Sequence, residues 1–125
     1  MAKDAVKVDP RHYEVVVNNK RVRAVRVHYG PHEKSVMHGH PATLGIFLTD
    51  AHFRFTYPNG KSEEITTNAG DVMWFTPHEH LPENLSDQAF EAVIVELKAG
   101  ASPRRVTKAK PAKARAARTR RARRR

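Results

Sequence analysis

The residues most capable of chemistry in this chain are two closely spaced histidine pairs. His38 and His40 alternate with single residues in Val36-Met37-His38-Gly39-His40, and on a strand that spacing turns both imidazoles to one side of a sheet. His78 and His80 repeat the spacing just after the run Asp71 to Thr76. If the sheet closes into a small barrel, the two pairs can converge on one interior point. They would then offer the three or four nitrogen donors that a transition metal accepts. A single histidine is more often a loop or surface residue. Two pairs, each beside a strand of buried character, argue against that fate.

The chain has no cysteine, which removes disulfide scaffolds, thiolate zinc sites and thiol nucleophiles together. Any metal must therefore be held by His, Asp, Glu or backbone oxygen. Without soft sulfur donors, Fe, Zn, Ni, Cu(II) and Mn all stay open.

The elements that must position the histidines are short. Between Tyr13 and Lys98, β-branched and aromatic runs alternate with Gly, Pro, Asn and Asp and helical periodicity is absent, which is the pattern of an all-β domain. Strands are expected at about Tyr13 to Val17, Arg21 to His28, Ser35 to His40, Thr43 to Thr49, His52 to Tyr57, Ser62 to Thr66, Asp71 to Thr76 and Phe90 to Lys98. His78 to Asn84 is expected to be a loop. Phe53, Phe55 and Tyr57 lead into Pro58-Asn59-Gly60, a hairpin whose Asn-Gly pair tolerates positive φ. These aromatics, with Trp74, are expected in the core or the pocket wall. Both faces of Phe90 to Leu97 are apolar, so that strand is expected to be buried on both sides.

With 125 residues the chain can hold one small domain and one compact site. Its net charge of +10 is unevenly placed. Residues 101–125 contain 12 Lys/Arg and no acid, leaving 11 Lys/Arg against 13 Asp/Glu in residues 1–100, so the tail is +12 and the body 11 − 13 = −2. After Val106 no large apolar residue occurs. Such a segment cannot offset its ordering entropy by burial, and a disordered basic tail is expected over 101–125 beyond a folded domain at 1–100. Twelve cations suit non-specific, salt-sensitive contact with nucleic acid. No aromatic residue interleaves them, so base stacking is not expected. The first ten residues carry Lys3, Asp4, Lys7 and Asp9 without an apolar run behind them, and no segment approaches the ~20 apolar residues of a membrane span. A cytoplasmic protein with no membrane partner is the expectation.

Gly30 followed by His38-Gly39-His40-Pro41, and Gly70-Asp71 followed by Pro77, His80 and Asn84, resemble the two sequence boxes of the cupins. The resemblance runs over roughly Arg21 to Lys98. It is closest to small single-domain bacterial cupins, some of them assigned to β-alanine degradation, in which segments like Val72-Met73-Trp74-Phe75, His80-Leu81-Pro82-Glu83-Asn84 and Val95-Glu96-Leu97-Lys98 recur. It implies a jelly-roll β-barrel in which His38, His40 and His80 bind a divalent metal. The family's fourth ligand, a glutamate, falls on Leu44, whose parity with His38 and His40 points it to the same interior. The loop before His80 is shortened and contains His78, a candidate for the fourth ligand. Glu83 matches a position of related cupins and is the candidate general base or partner orienting His80, whereas Glu79 reads as a solvated charge. His12, His28 and His32 have no partner at a diagnostic spacing.

A site of neutral imidazoles leaves the full charge on the metal, which favours an anionic outside ligand. Three protein ligands also leave coordination positions open. The leading expectation is a metal-dependent enzyme, dioxygenase-like by its resemblance to three-histidine cupins, acting on a small organic acid with Glu83 or His78 assisting. The alternative is a non-catalytic module that holds a small ligand while the tail contacts nucleic acid or another polyanion. A homodimer is expected, since an unpaired sheet edge is a liability.

Overall fold

Alternation at period two dictates the architecture. In Phe53-Arg54-Phe55-Thr56 the aromatics turn inward and are almost fully buried while Arg54 and Thr56 lie half out, and the same in-out rhythm recurs along the chain. The computed structural model describes residues 3–98; the basic tail expected at 101–125 lies outside them. A short helix, α1 (Ala5–Val8), precedes nine strands: β1 (Tyr13–Asn18), β2 (Val22–Tyr29), β3 (His38–His40), β4 (Thr43–Phe47), β5 (Ala51–Thr56), β6 (Ser62–Thr67), β7 (Val72–Phe75), β8 (His78–Asn84) and β9 (Phe90–Leu97).

The strands form two antiparallel sheets, β1-β2-β9-β4-β7 and β3-β8-β5-β6. Their inner faces enclose Tyr13, Val25, Val27, Tyr29, Phe47, Phe53, Phe55 and Phe90. The expected all-β class is therefore observed. Among the described residues no helix is long and apolar enough to cross a membrane. The hairpin joining β5 to β6 closes at the anticipated Asn59-Gly60, where Gly60 has φ +87° and Asn59 Oδ1 accepts from the Lys61 N–H. Only Gly60 of the pair takes a positive φ.

Four expectations need correction. The segment His78–Asn84, expected to be a loop, is strand β8 in the middle of its sheet. Its inward residues are His80, Pro82 and Asn84, and these hid the apolar alternation that marks a strand. Leu44 does not face the interior shared by His38 and His40; Thr43, Gly45 and Phe47 do. The chain passes from one sheet to the other at Pro41-Ala42, with Thr43 Oγ1 donating to the Pro41 carbonyl at 2.7 Å, so parity is not carried across that bend. Trp74 is neither core nor pocket wall. It stands on the outer side of edge strand β7, 54% exposed. Strand β9 is buried on one side only, since Val93 and Val95 are half-buried and Leu97 is exposed.

Candidate metal centre

Strand β3 contributes two of the four paired histidines and β8 the other two, and the register of these strands makes them neighbours. His38 lies opposite His80, Gly39 opposite Glu79, and His40 opposite His78. Because both strands alternate, His38, His40 and His80 project to the inner side and are 1%, 9% and 5% exposed. One nitrogen from each lies within 4.8 Å of the others. The three rings stand 4.9–5.0 Å apart, close to perpendicular, so edges rather than faces meet at the centre.

The other nitrogen of each ring is engaged, and the partners decide where its proton sits. His40 Nδ1 lies 2.9 Å from Glu96 Oε2. A carboxylate only accepts, so Nδ1 donates and Nε2 keeps its lone pair. His38 Nδ1 lies 3.3 Å from Ser35 Oγ. Ser35 spends its one hydroxyl proton on Asp9 Oδ2, which leaves its oxygen free to accept from His38. His80 Nδ1 lies 2.9 Å from His78 Nε2, while His78 Nδ1 donates to the Thr76 carbonyl at 2.7 Å. A neutral His78 that donates through Nδ1 can only accept at Nε2, so His80 must donate through Nδ1. When the rings are neutral, all three share one tautomer, with the Nε2 lone pair unengaged by Nδ1 partners. His38 Nε2 and His80 Nε2 are buried and have no hydrogen-bond partner among the described residues.

Burial disfavours the charged form of His38 and His80. Burial, followed by repulsion from His40, lowers the His38 imidazole to about 4. Burial, then repulsion from His40, His38 and His78, holds the His80 imidazole well below its ordinary value. Burial alone would raise the Glu96 carboxyl, but the hydrogen bonds and charges of His40 and Arg23 outweigh it and the net shift is downward. A metal competes with protons for these nitrogens, so unprotonated rings near neutral pH favour it. The donor set fits a divalent transition metal, which three uncharged nitrogens can hold with positions left open.

The space beside the cluster is small and aromatic. A cavity of about 60 Å³ has room for only a few water-sized groups. Tyr13, Phe47, Phe55, Phe75 and Phe90 line it together with His40, His78 and His80. Phe55 packs 4.1 Å from the His80 ring and Tyr13 edges onto His38 at 5.0 Å.

Of the residues singled out in the sequence, the structure brings His38, His40 and His80 together. His78 is adjacent, with both nitrogens already hydrogen-bonded, and it is not one of the three converging donors. Glu83 is on the opposite face of β8 from His80, its Oε1 3.5 Å from Arg54 Nη1, and is not brought to the cluster. Asn84 is fully buried and ties together the carbonyls of Gly30 and Gln88 and the Ser86 N–H, a role in chain positioning. Sequence reasoning missed Glu96, Ser35, Asp9 and His12. For Glu96 a signal existed: Phe90, Ala92, Ile94 and Glu96 share one face of a strand, and a lone acid in such a row must have a buried partner.

No family model matches the chain, and no curated protein sequence matches it. Solved structures do. A cupin domain from Bordetella pertussis is 25% identical, with a TM-score of 0.65 over 70% of this chain and 92% of that one. A conserved protein with a double-stranded β-helix domain from Klebsiella pneumoniae is 22% identical at a TM-score of 0.58, covering 72% and 78%. A cupin 2 conserved barrel domain protein from Salinispora arenicola is 20% identical at 0.56, covering 75% and 82%.

Proposed function

We propose that this chain, which has the cupin fold, binds one divalent transition metal through His38, His40 and His80 and presents it to a small organic acid. The observation that carries this reading is the convergence of three buried histidines: one nitrogen of each of His38, His40 and His80 lies within 4.8 Å of the others, while each Nδ1 has a hydrogen-bond partner elsewhere. Such an arrangement is costly for a packed interior to maintain unless a cation or donor meets it. Fe, Zn, Ni and Mn all suit the donor set.

The substrate class follows from charge and volume. Three neutral imidazoles leave the metal's charge uncompensated, which favours a carboxylate or another anionic head. Aromatic walls and a cavity of about 60 Å³ favour a short apolar body behind that head. A metal bound there would supply Lewis acidity or, if redox-active, the oxygen chemistry of a dioxygenase-like enzyme. The chain's residues hold its ligands in one tautomer and exclude bulk water with Tyr13, Phe55 and Phe75. In this reading His78 orients His80, and Glu83 belongs to its ion pair with Arg54. The expected homodimer has in its support the free edge of β7 and the exposed Val72 and Trp74 upon it.

Elemental analysis of protein purified without a histidine tag or chelator tests the reading. Near one metal per chain is expected, lost in both His38→Ala and His80→Ala. Near one Fe would direct attention to oxygen-consumption screens with small thiols and carboxylates. Zn, Ni or Mn would direct it to non-redox chemistry. No metal in the unaltered protein would overturn the reading and favour a ligand-binding module, whose tail-dependent retention on DNA should then disappear at moderate salt.

A further inference from the structure

The segment before β1 is bracketed by two aspartates that lead to different histidines of the cluster. Asp4 caps α1 by accepting from the Val6 N–H, and its carboxylate takes both Nη atoms of Arg23 at 3.0 and 2.7 Å. Arg23 Nε donates to Glu96 Oε1 at 2.9 Å, and Glu96 Oε2 holds His40 Nδ1. At the other end of α1, Asp9 Oδ2 accepts from Ser35 Oγ and lies 2.7 Å from His12 Nδ1. Ser35 is the acceptor for His38. His12 is gripped on its far side by Glu33 Oε1 at 3.0 Å, and Glu33 also takes the Gly30 N–H and pairs with Arg11.

The backbone runs beside the same ligands. The Gly39 N–H, between His38 and His40, donates to the Lys3 carbonyl at 2.7 Å, and Asp4 forms a parallel bridge with Gly39. Strand β3 has only three residues and β8 on one side, so the N-terminal segment covers its other edge. Ala5 is fully buried in the core, which fixes the segment in place. Asp9 and His12 are 8% and 3% exposed. Burying so many charges is expensive, and a chain needing only to cover an edge strand could do it with apolar residues.

We propose that residues Asp4–His12 position the metal ligands indirectly, Asp9 through Ser35 setting His38 and Asp4 through Arg23 and Glu96 setting His40. Docking of this segment and metal binding are therefore coupled, and the coupling is reciprocal. Metal binding tightens the segment, and loosening the segment weakens metal binding. This rests on the proposed metal site, and the two can fail separately.

Co(II) serves as the probe because its absorption reports coordination geometry. The unaltered protein, Asp9→Asn and Ser35→Ala are each titrated with Co(II), and amide hydrogen exchange of residues 4–12 is followed with and without the ion. In the unaltered protein Co(II) should slow exchange over 4–12. Asp9→Asn should bind Co(II) about ten- to a hundredfold more weakly, as loss of ligand-orienting partners does elsewhere, with a changed spectrum and less protection of 4–12. Ser35→Ala leaves the Asp9–His12 contact in place and should weaken binding in the same direction, which covers the case of Asp9→Asn failing to fold. No Co(II) binding by the unaltered protein would overturn the metal site itself. Co(II) bound with equal affinity and spectrum by the unaltered protein and Ser35→Ala, with exchange over residues 4–12 unchanged by the ion, would leave the site standing and overturn the role of the segment.

Discussion

The two strands that supply the histidines support them in different ways. On β3, His38 and His40 are backed by chains that end in charge, Ser35 and Asp9 behind one and Glu96 with Arg23 behind the other. On β8, His80 is backed by another imidazole, that of His78, and then a backbone carbonyl, with no carboxylate behind them. A carboxylate partner raises the electron-donating power of an imidazole and fixes its orientation. A neutral partner fixes orientation while adding little charge. A metal in the proposed site would thus be held more strongly from the β3 side than from the β8 side.

Removing the charge behind His40 should produce the largest effect. In Glu96→Gln the amide cannot present oxygen to both His40 and Arg23, so one contact becomes donor against donor. Glu96 is 3% exposed. Breaking a buried pair costs about 3–5 kcal/mol, and the partial exposure of Arg23 places the expected loss near the lower end. Metal affinity should fall by about ten- to a hundredfold. Denaturant unfolding and metal titration measure the two effects; a variant as stable and as tight as the parent would remove charge as the distinguishing feature of the β3 side.

Acid probes both strands together. The folded His38 titrates near 4 and the unfolded one near 6.5, so between these values the unfolded chain takes up protons that the folded chain refuses. The stability contributed by a neutral His38 is complete above pH ~6.5 and declines as pH falls toward 4, by about 3 kcal/mol in all at ~1.4 per pH unit. His80, also lowered, steepens the slope over the same side of neutrality. Asp4 and Glu96, whose carboxyls are held down by Arg23 and by His40 with Arg23 respectively, lose their contribution only as pH drops below the ordinary carboxylate range. Unfolding of metal-free protein from pH 7 to 4.5 should therefore show a decline that is shallower in His38→Gln. An identical decline in that variant would place the titration elsewhere.

The support behind His80 should matter less. His78→Phe removes the acceptor for His80 Nδ1 but can pack among Phe55, Phe75 and Tyr57, which already surround that ring. Affinity is expected to fall about tenfold, the low end for such partners, with the Co(II) spectrum keeping its coordination number. A change in coordination number would instead make His78 the fourth ligand that its position in the sequence allows.

The same contrast explains what could be read from residues alone. The His38-Gly39-His40 pair and the aromatic alternation of β5 were legible because one spacing rule sufficed for each. Strand β8 was hidden because its inward positions carry His80, Pro82 and Asn84. Parity counted from His40 fails at Leu44 because the chain changes sheets at Pro41-Ala42. Trp74 read as core by its type, yet its strand is an edge strand and its face is the outer one. Ser35 is three residues from His38, but Asp9 behind it is 26 residues from Ser35, and Glu96 is 56 residues from His40. No local pattern links Asp9 to Ser35 or Glu96 to His40; only the tertiary fold does.

The smallest effect is expected at Glu83, where sequence and structure diverge most about function. Its position near His80 in the chain made it a candidate base, but one residue of parity separates the faces of a strand. Its carboxylate meets Arg54, which is 36% exposed in its side chain and also faces Glu64 at 3.6 Å. An ion pair of that kind contributes about 0–1 kcal/mol, and Glu64 remains to hold Arg54 when Glu83 is replaced. Glu83→Gln should therefore leave metal affinity and the Co(II) spectrum unchanged and lower stability by under ~1 kcal/mol. A tenfold loss of metal or of turnover in this variant would mean that the outer face of β8 reaches the site after all, and the division between the two supporting strands would have to be redrawn around it.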